Sequence, residues 1–237
     1  MKSKFQRIVQ SFKKAQKKYN KSFKSDHWEK GYKKRLEFLK FKNLKNFRNN
    51  SLSFGLDTRV GSLKRQELLY EEIKMKHNYD FIKNNLPTKN VGNLKDCLKD
   101  EDKFVDPNSL FHIDCTKEIL DCVIKKKIKV RNICEIGAGF GSMSRLLVNS
   151  FTNSKLIIID LPEANYLCSY FLLKHFPNKN FLLYDDLRYE FVNQEIIKNS
   201  DIIILPAWIE LDNLEIDIFA NVRSFMEMDL HIIKNYF

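Results

Sequence analysis

The 237-residue chain has no apolar run of about 18 residues, so no segment is long enough to cross a bilayer as a helix. Its start, MKSKFQRIVQSFKK, lacks the apolar stretch and small-residue cleavage site of a secretory signal. A cytoplasmic protein is expected. Cysteine is scarce, odd in number and unpaired in spacing: Cys97, Cys115, Cys122, Cys134 and Cys168 form no C-x-x-C pair. That pattern argues against a disulfide framework and against a zinc site. The five histidines, at 27, 77, 112, 175 and 231, show no ligand spacing, so no metal is expected. Internal repeats are absent, and the lysine-rich start is the only biased tract.

Acidic residues are missing from one place in particular. Residues 1–50 hold 17 Lys or Arg against 3 Asp or Glu, a net +14, whereas the rest holds 24 against 27. The overall +11 therefore belongs to an N-terminal extension. Within it Phe5, Ile8, Val9, Phe12, Ala15 and Tyr19 fall on one helical face, with lysines on the other. Three readings of this basic face stand: a cap packed on the core with a lysine-rich solvent side, weak association with an anionic membrane surface, or nucleic-acid binding. Nucleic acid is the least favoured. The chain has no N-P-P-Y or D-P-P-Y strand end, and the basic run lacks spaced aromatics for base stacking.

Hydrophobic residues make up 43% of the chain, enough for a core. A second helix is expected from Ser25 or Asp26, with Glu29 as capping acid. Residues 49–62 read as loop, 63–84 as helix and 107–127 as a helix with Pro107 in its first turn. From Val130 the texture changes. VRNICEI, KLIIID, NFLLYDD, DIIILPAW and IDIFANV read as strands. GSMSRLLVNSF, EANYLCSYFLLKHF and SFMEMDLHIIKNYF read as helices. Alternation of this kind predicts an α/β fold with a parallel, doubly wound, Rossmann-like sheet. The expected division is a basic helical region, 1–104, and an α/β domain, 105–237.

Three of the seven glycines stand at 137, 139 and 141, between a strand and a helix. Glycine there permits positive φ and lets a ligand approach the backbone. The helix start adds free N–H groups. Asp160 ends the next strand, 19 residues beyond Gly141, where an acid can accept hydrogen bonds from two ribose hydroxyls. A nicotinamide dinucleotide favours G-x-G-x-x-G; here the spacing is G-x-G-x-G, with Glu135 two residues ahead. An acid repels a pyrophosphate but suits the sulfonium and amino group of S-adenosylmethionine. That cofactor is preferred over a dinucleotide and over a structural turn that binds nothing.

The segment EIGAGFG resembles motif I of class I S-adenosylmethionine-dependent methyltransferases. With DHWEK, LKNFRNN, IIIDLPE, HFPNKN, ILPAW and NVRSFMEM, the chain resembles, from about residue 25 onward, the putative sugar O-methyltransferase family of bacterial surface-polysaccharide gene clusters. The resemblance implies O-methylation of a sugar or glycan hydroxyl. It implies a loop of Gly137, Ala138, Gly139 and Gly141 around the methionine part of the cofactor, Glu135 near its amino group, Asp160 on the ribose and Leu161 against adenine. Pro206, Ala207 and Trp208 would border adenine or acceptor, and Asn221 would face the methyl group. Trp208 also reads as an ordinary rim aromatic, Asp185 and Asp186 as a solvated strand end, and Met226 and Met228 as core. Glu227 and His231 lie four apart in the last predicted helix and share a face. Such a pair can orient a general base, although a plain surface pair is the simpler reading. A class I sheet usually has seven strands, so the chain is expected to lack the last ones, with self-association or a partner chain completing the sheet. The rival functions are an RNA methyltransferase and an inactive remnant.

Overall fold

The computed structural model describes residues 3–18, 23, 25–29, 36, 39, 44–49 and 62–236. All but the two ends of the expected loop at 49–62 and most of the helix expected after residue 29 lie outside these residues, as does Tyr19.

Five strands form one parallel sheet: β3 (Asn132–Ile136), β4 (Lys155–Asp160), β5 (Phe181–Leu183), β7 (Ile202–Pro206) and β9 (Ile218–Ala220). Their order across the sheet is β5-β7-β4-β3-β9. The α/β expectation holds in this form. Alternation of side chains explains why these strands have no polar face. Ile133, Leu156, Ile158, Ile202 and Ile204 enter one core cluster, and Cys134, Ile136, Ile157, Ile159, Ile203 and Leu205 enter another. Helices α6 (Ser142–Ser150) and α7 (Pro162–His175) cover the first face through Met143, Leu147, Leu167 and Phe171. On the second face lie Tyr184, Leu187, Val192 and Ile197, from the connection that holds β6 (Phe191–Val192) and α8 (Gln194–Ile197). Strand β6 pairs in parallel with β8 (Glu210–Leu211), a small ladder that the sequence reading did not anticipate.

From β3 the chain passes to β4 on one side, and β9 returns on the other. The order reverses here, which opens a crevice beyond the carboxyl ends of β3 and β9. Strand β9 is the last in the order, and its Phe219 is 49% exposed.

The basic helix α1 (Lys4–Lys17) starts in a capping box: the Gln6 amide donates to Ser3 Oγ at 3.2 Å, and the Ser3 amide donates to Gln6 Oε1 at 2.7 Å. Its apolar face docks on α7. Phe12 stacks on Tyr166 with ring centroids 4.6 Å apart, and Phe5 meets Tyr170 edge-on. Several of its cations are tied to the body of the protein. Lys14 donates to the Tyr184 and Leu187 carbonyls, Lys4 to the Pro177 carbonyl, and Arg7 to Asp186. Asp186 is thus paired rather than simply solvated. Ile8 belongs to the same cluster as the sheet residues, so the core crosses the expected 104/105 division.

A third cluster joins α3 (Leu63–Lys76), α4 (Tyr79–Asn85), an antiparallel pair of β1 (Leu98–Asp100) with β2 (Lys103–Val105), and α5 (Pro107–Lys126). The helix expected over 63–84 is broken at His77, because Asn78 Oδ1 accepts the amides of Asp80 and Phe81 and caps a new helix. Helix α2 covers Asp26–Glu29, where the Trp28 and Glu29 amides donate to the Ser25 carbonyl. The last expected helix is also broken. Ser224–Glu227 is a 3-10 turn, Met228 is extended, and α9 spans only Leu230–Ile233.

Candidate functional site

The turn after β3 is built as its glycines demand. Gly137, Gly139 and Gly141 have φ of +76°, +60° and +93°. A Cβ on Gly137 would overlap Ser224 Oγ, and one on Gly141 would lie 2.9 Å from Cys168 Sγ. The Gly137 amide donates to the Ile159 carbonyl at 2.9 Å, tying the loop to β4. At the end of β4, Asp160 Oδ2 accepts the Gly139 amide at 2.8 Å and Oδ1 accepts the Leu161 amide at 2.7 Å. The acid and the glycine loop are therefore one hydrogen-bonded unit. Each Asp160 oxygen keeps a lone pair for a further donor.

A cavity of about 190 Å³ opens on this unit. Gly137, Ala138, Gly139, Asp160 and Leu161 form its floor, joined by Ser142 and Glu163 at the starts of α6 and α7. The other walls come from distant parts of the sequence. Phe23, Ser25 and Trp28 arrive from the N-terminal region, Asn108, Phe111 and His112 from α5, and Val222, Arg223, Ser224, Glu227 and Met228 from the turn after β9. Trp28 Nε1 donates to Glu227 Oε2 at 3.1 Å, so the DHWEK and SFMEM stretches meet across the cavity. Asn108, Phe111 and His112 were not singled out in the sequence. Their i, i+3, i+4 spacing, which puts them on one helical face, was the available signal. The Nδ1 atom of His112 is buried and has no hydrogen-bond partner among the described residues. Burial pushes this imidazole down to about 4; Arg223, Arg145 and Arg48 act the same way, and Asp106 acts against them. It is a neutral side chain at pH 7.

Other expected site residues lie elsewhere. Glu135 is beneath the loop, 2% exposed, where Ser144 Oγ donates to its Oε2 at 2.5 Å; it is a buried support rather than a cavity wall. Gly141 caps α6 and brings it close to α7. Asn221 braces the turn: its Nδ2 donates to the Ile136 carbonyl at 2.9 Å, and its Oδ1 accepts the Phe225 amide. Pro206 lines a separate small cavity under α1, with Ile8, Phe12 and Tyr184. Trp208 Nε1 donates to Glu190 at 3.1 Å, and its ring meets Tyr184 edge-on. Strand β7 lies beyond β4 from the glycine loop, which carries Pro206, Ala207 and Trp208 away from the cavity. Glu227 is on the cavity wall, but His231 is exposed in α9. The break at Met228 removes the shared helical face, so these two do not form the expected pair. Met226 is 86% exposed rather than core, because the 3-10 turn does not continue into a helix that would bury it.

Burial lifts the carboxyls of both Glu135 and Asp160 to about 7, only partly opposed by the Ser144 hydroxyl and by the Gly139 and Leu161 amides. A carboxyl raised in this way binds a proton in the folded state that the unfolded chain has already released. Stability contributed by these two groups is present at low pH, falls as pH rises from their ordinary range toward 7, and is level above that. Glu135→Gln is expected to flatten this slope. Urea unfolding at pH 5 and pH 8 checks it, and an unchanged difference between the two pH values would refute the assignment.

The sequence matches no protein-family model and no curated protein. No cluster of His, Cys, Asp and Glu suited to a metal ion occurs among the described residues, and no described helix is long and apolar enough to cross a membrane.

Proposed function

We propose that this chain is an S-adenosylmethionine-dependent methyltransferase of the class I, Rossmann-like kind, acting on a sugar hydroxyl of the type found in bacterial surface polysaccharide. The observation that carries the reading is the joined unit of glycine loop and Asp160 on a cavity floor at the switch point of the sheet. The residues suit the cofactor in sign. Asp160, Glu163 and Glu227 are on the walls and Glu135 lies just beneath, so a sulfonium and an ammonium meet acids. A cavity of about 190 Å³ is small beside the roughly 300–1,000 Å³ of most ligand sites. Binding then requires the cavity to widen.

S-adenosylmethionine, when bound, supplies a methyl group on a cationic sulfur that leaves as a neutral thioether. The chain's own work is alignment and proton handling. Asp160 would accept from the ribose hydroxyls on its remaining lone pairs, and the glycine loop would let the ligand reach the backbone. The neutral His112 imidazole would take the proton that the acceptor hydroxyl loses.

Asp160→Ala removes two charge-assisted hydrogen bonds and is expected to weaken cofactor binding by on the order of 2–4 kcal/mol. Calorimetric titration of wild type and variant measures this. Equal affinity would take Asp160 out of the site.

A further inference from the structure

The acids of the cavity have one counterpart. Among the described wall residues, Arg223 and the neutral His112 are the only basic side chains. Arg223 makes no ion pair with a described acid. Its guanidinium lies over the Phe111 ring, 4.0 Å from the centroid. Its backbone is in the left-handed region at φ +70°, where a residue with a side chain is strained. The neighbouring bonds hold it there: Ser224 Oγ donates to the Ile136 carbonyl, the Phe225 amide donates to Asn221 Oδ1, and the Met226 amide donates to the Arg223 carbonyl. The braced turn thus holds at the cavity the one cationic residue among the described wall residues. The residue next in sequence, Ser224, packs against Gly137, so the backbone that carries Arg223 runs beside the glycine loop.

We propose that Arg223 anchors an anionic group on the acceptor, so that the sugar methylated is an acid or a phosphate ester rather than a neutral sugar. A planar guanidinium binds a carboxylate or a phosphate through two parallel hydrogen bonds. The anion at Arg223 and the hydroxyl at His112 then lie on adjoining walls, and the cofactor's positive groups keep to the acidic floor. This rests on the methyl-transfer reading for the role of the site, but not for the binding of the anion.

The test is calorimetric, with the purified chain alone and again with saturating S-adenosylhomocysteine. The probes are glucuronate, glucose 1-phosphate and glucose. At least one anion is expected to bind tenfold or more tightly than glucose, and the two anionic arms tell carboxylate from phosphate. Arg223→Gln is expected to abolish the preference while leaving the thermal midpoint and S-adenosylhomocysteine affinity unchanged. Equal or undetectable binding of all three probes overturns the proposal, as does a preference that survives Arg223→Gln. Failure of S-adenosylhomocysteine to bind is scored separately and counts against the cofactor reading alone.

Discussion

Replacing Arg48 by methionine is expected to cost about 3–5 kcal/mol of stability, the range for removing one partner of a buried ion pair. Arg48 Nη2 donates to Asp106 Oδ1 at 2.7 Å, and Asp106 is fully buried. The carboxylate also accepts the Ser109 hydroxyl at 2.6 Å and the Ser109 amide at 3.1 Å. Burial pushes its carboxyl up, but Arg48 and Ser109 outweigh burial and hold it below the usual carboxylate range. Its stabilising contribution is therefore present above that usual range and is lost as pH falls through the depressed value. Methionine fills the space and leaves the charge alone in the interior. Arg48→Met with Asp106→Asn is expected to recover part of the loss, since asparagine still caps α5 without a charge to strand. Urea unfolding measures both variants. A change below 1 kcal/mol in Arg48→Met would show that the pair does not hold the helix. The consequence reaches the site, because Asp106 caps the helix whose first two turns carry Asn108, Phe111 and His112.

His112→Gln is expected to lower kcat by about 10²–10⁴ on the acceptor that the chain methylates, with cofactor affinity unchanged. A side chain whose imidazole is held near 4 is a weak base, yet it suffices for this chemistry. As the new O–C bond forms, the hydroxyl oxygen gains positive charge and its proton becomes far more acidic than an imidazolium. What the step requires is an unprotonated ring nitrogen; His112 lines the cavity, and its buried Nδ1 has no partner among the described residues. Desolvation and the nearby Arg223, Arg145 and Arg48 keep the imidazole neutral against the pull of Asp106. Asp160, Glu163, Glu227 and Tyr236 are the other titratable groups on the walls. At saturating cofactor, kcat is expected to stay level with pH on the acid side until His112 is protonated near 4. An unchanged kcat in His112→Gln would assign the proton to another acceptor.

The central sheet was readable because apolar runs such as KLIIID have one explanation when both faces are covered. The glycine turn was readable because three positive-φ residues in five positions leave few alternatives. Short pairs such as β1–β2 and β6–β8 were not. Segments of two or three residues carry no period, and their pairing is set by what packs around them. The acceptor side of the cavity was hidden for a different reason. It is assembled from residues 23–28, 108–112 and 222–228, which are adjacent only after folding. Glu227 and His231 misled because helical spacing was assumed across Met228, where the backbone is extended. Trp208 and Pro206 misled because a strand end was taken as a site wall, before the strand order put β7 on the far side of β4.

The most direct test is a calorimetric titration of the purified chain with S-adenosylmethionine, run in two buffers of different ionisation enthalpy, with NAD as control. Micromolar binding of S-adenosylmethionine alone is predicted. It should be accompanied by proton release near pH 7, because a cation above Glu135 and Asp160 draws both carboxyls to their charged forms. No binding by a folded, monodisperse chain, or binding of NAD in its place, would contradict the account.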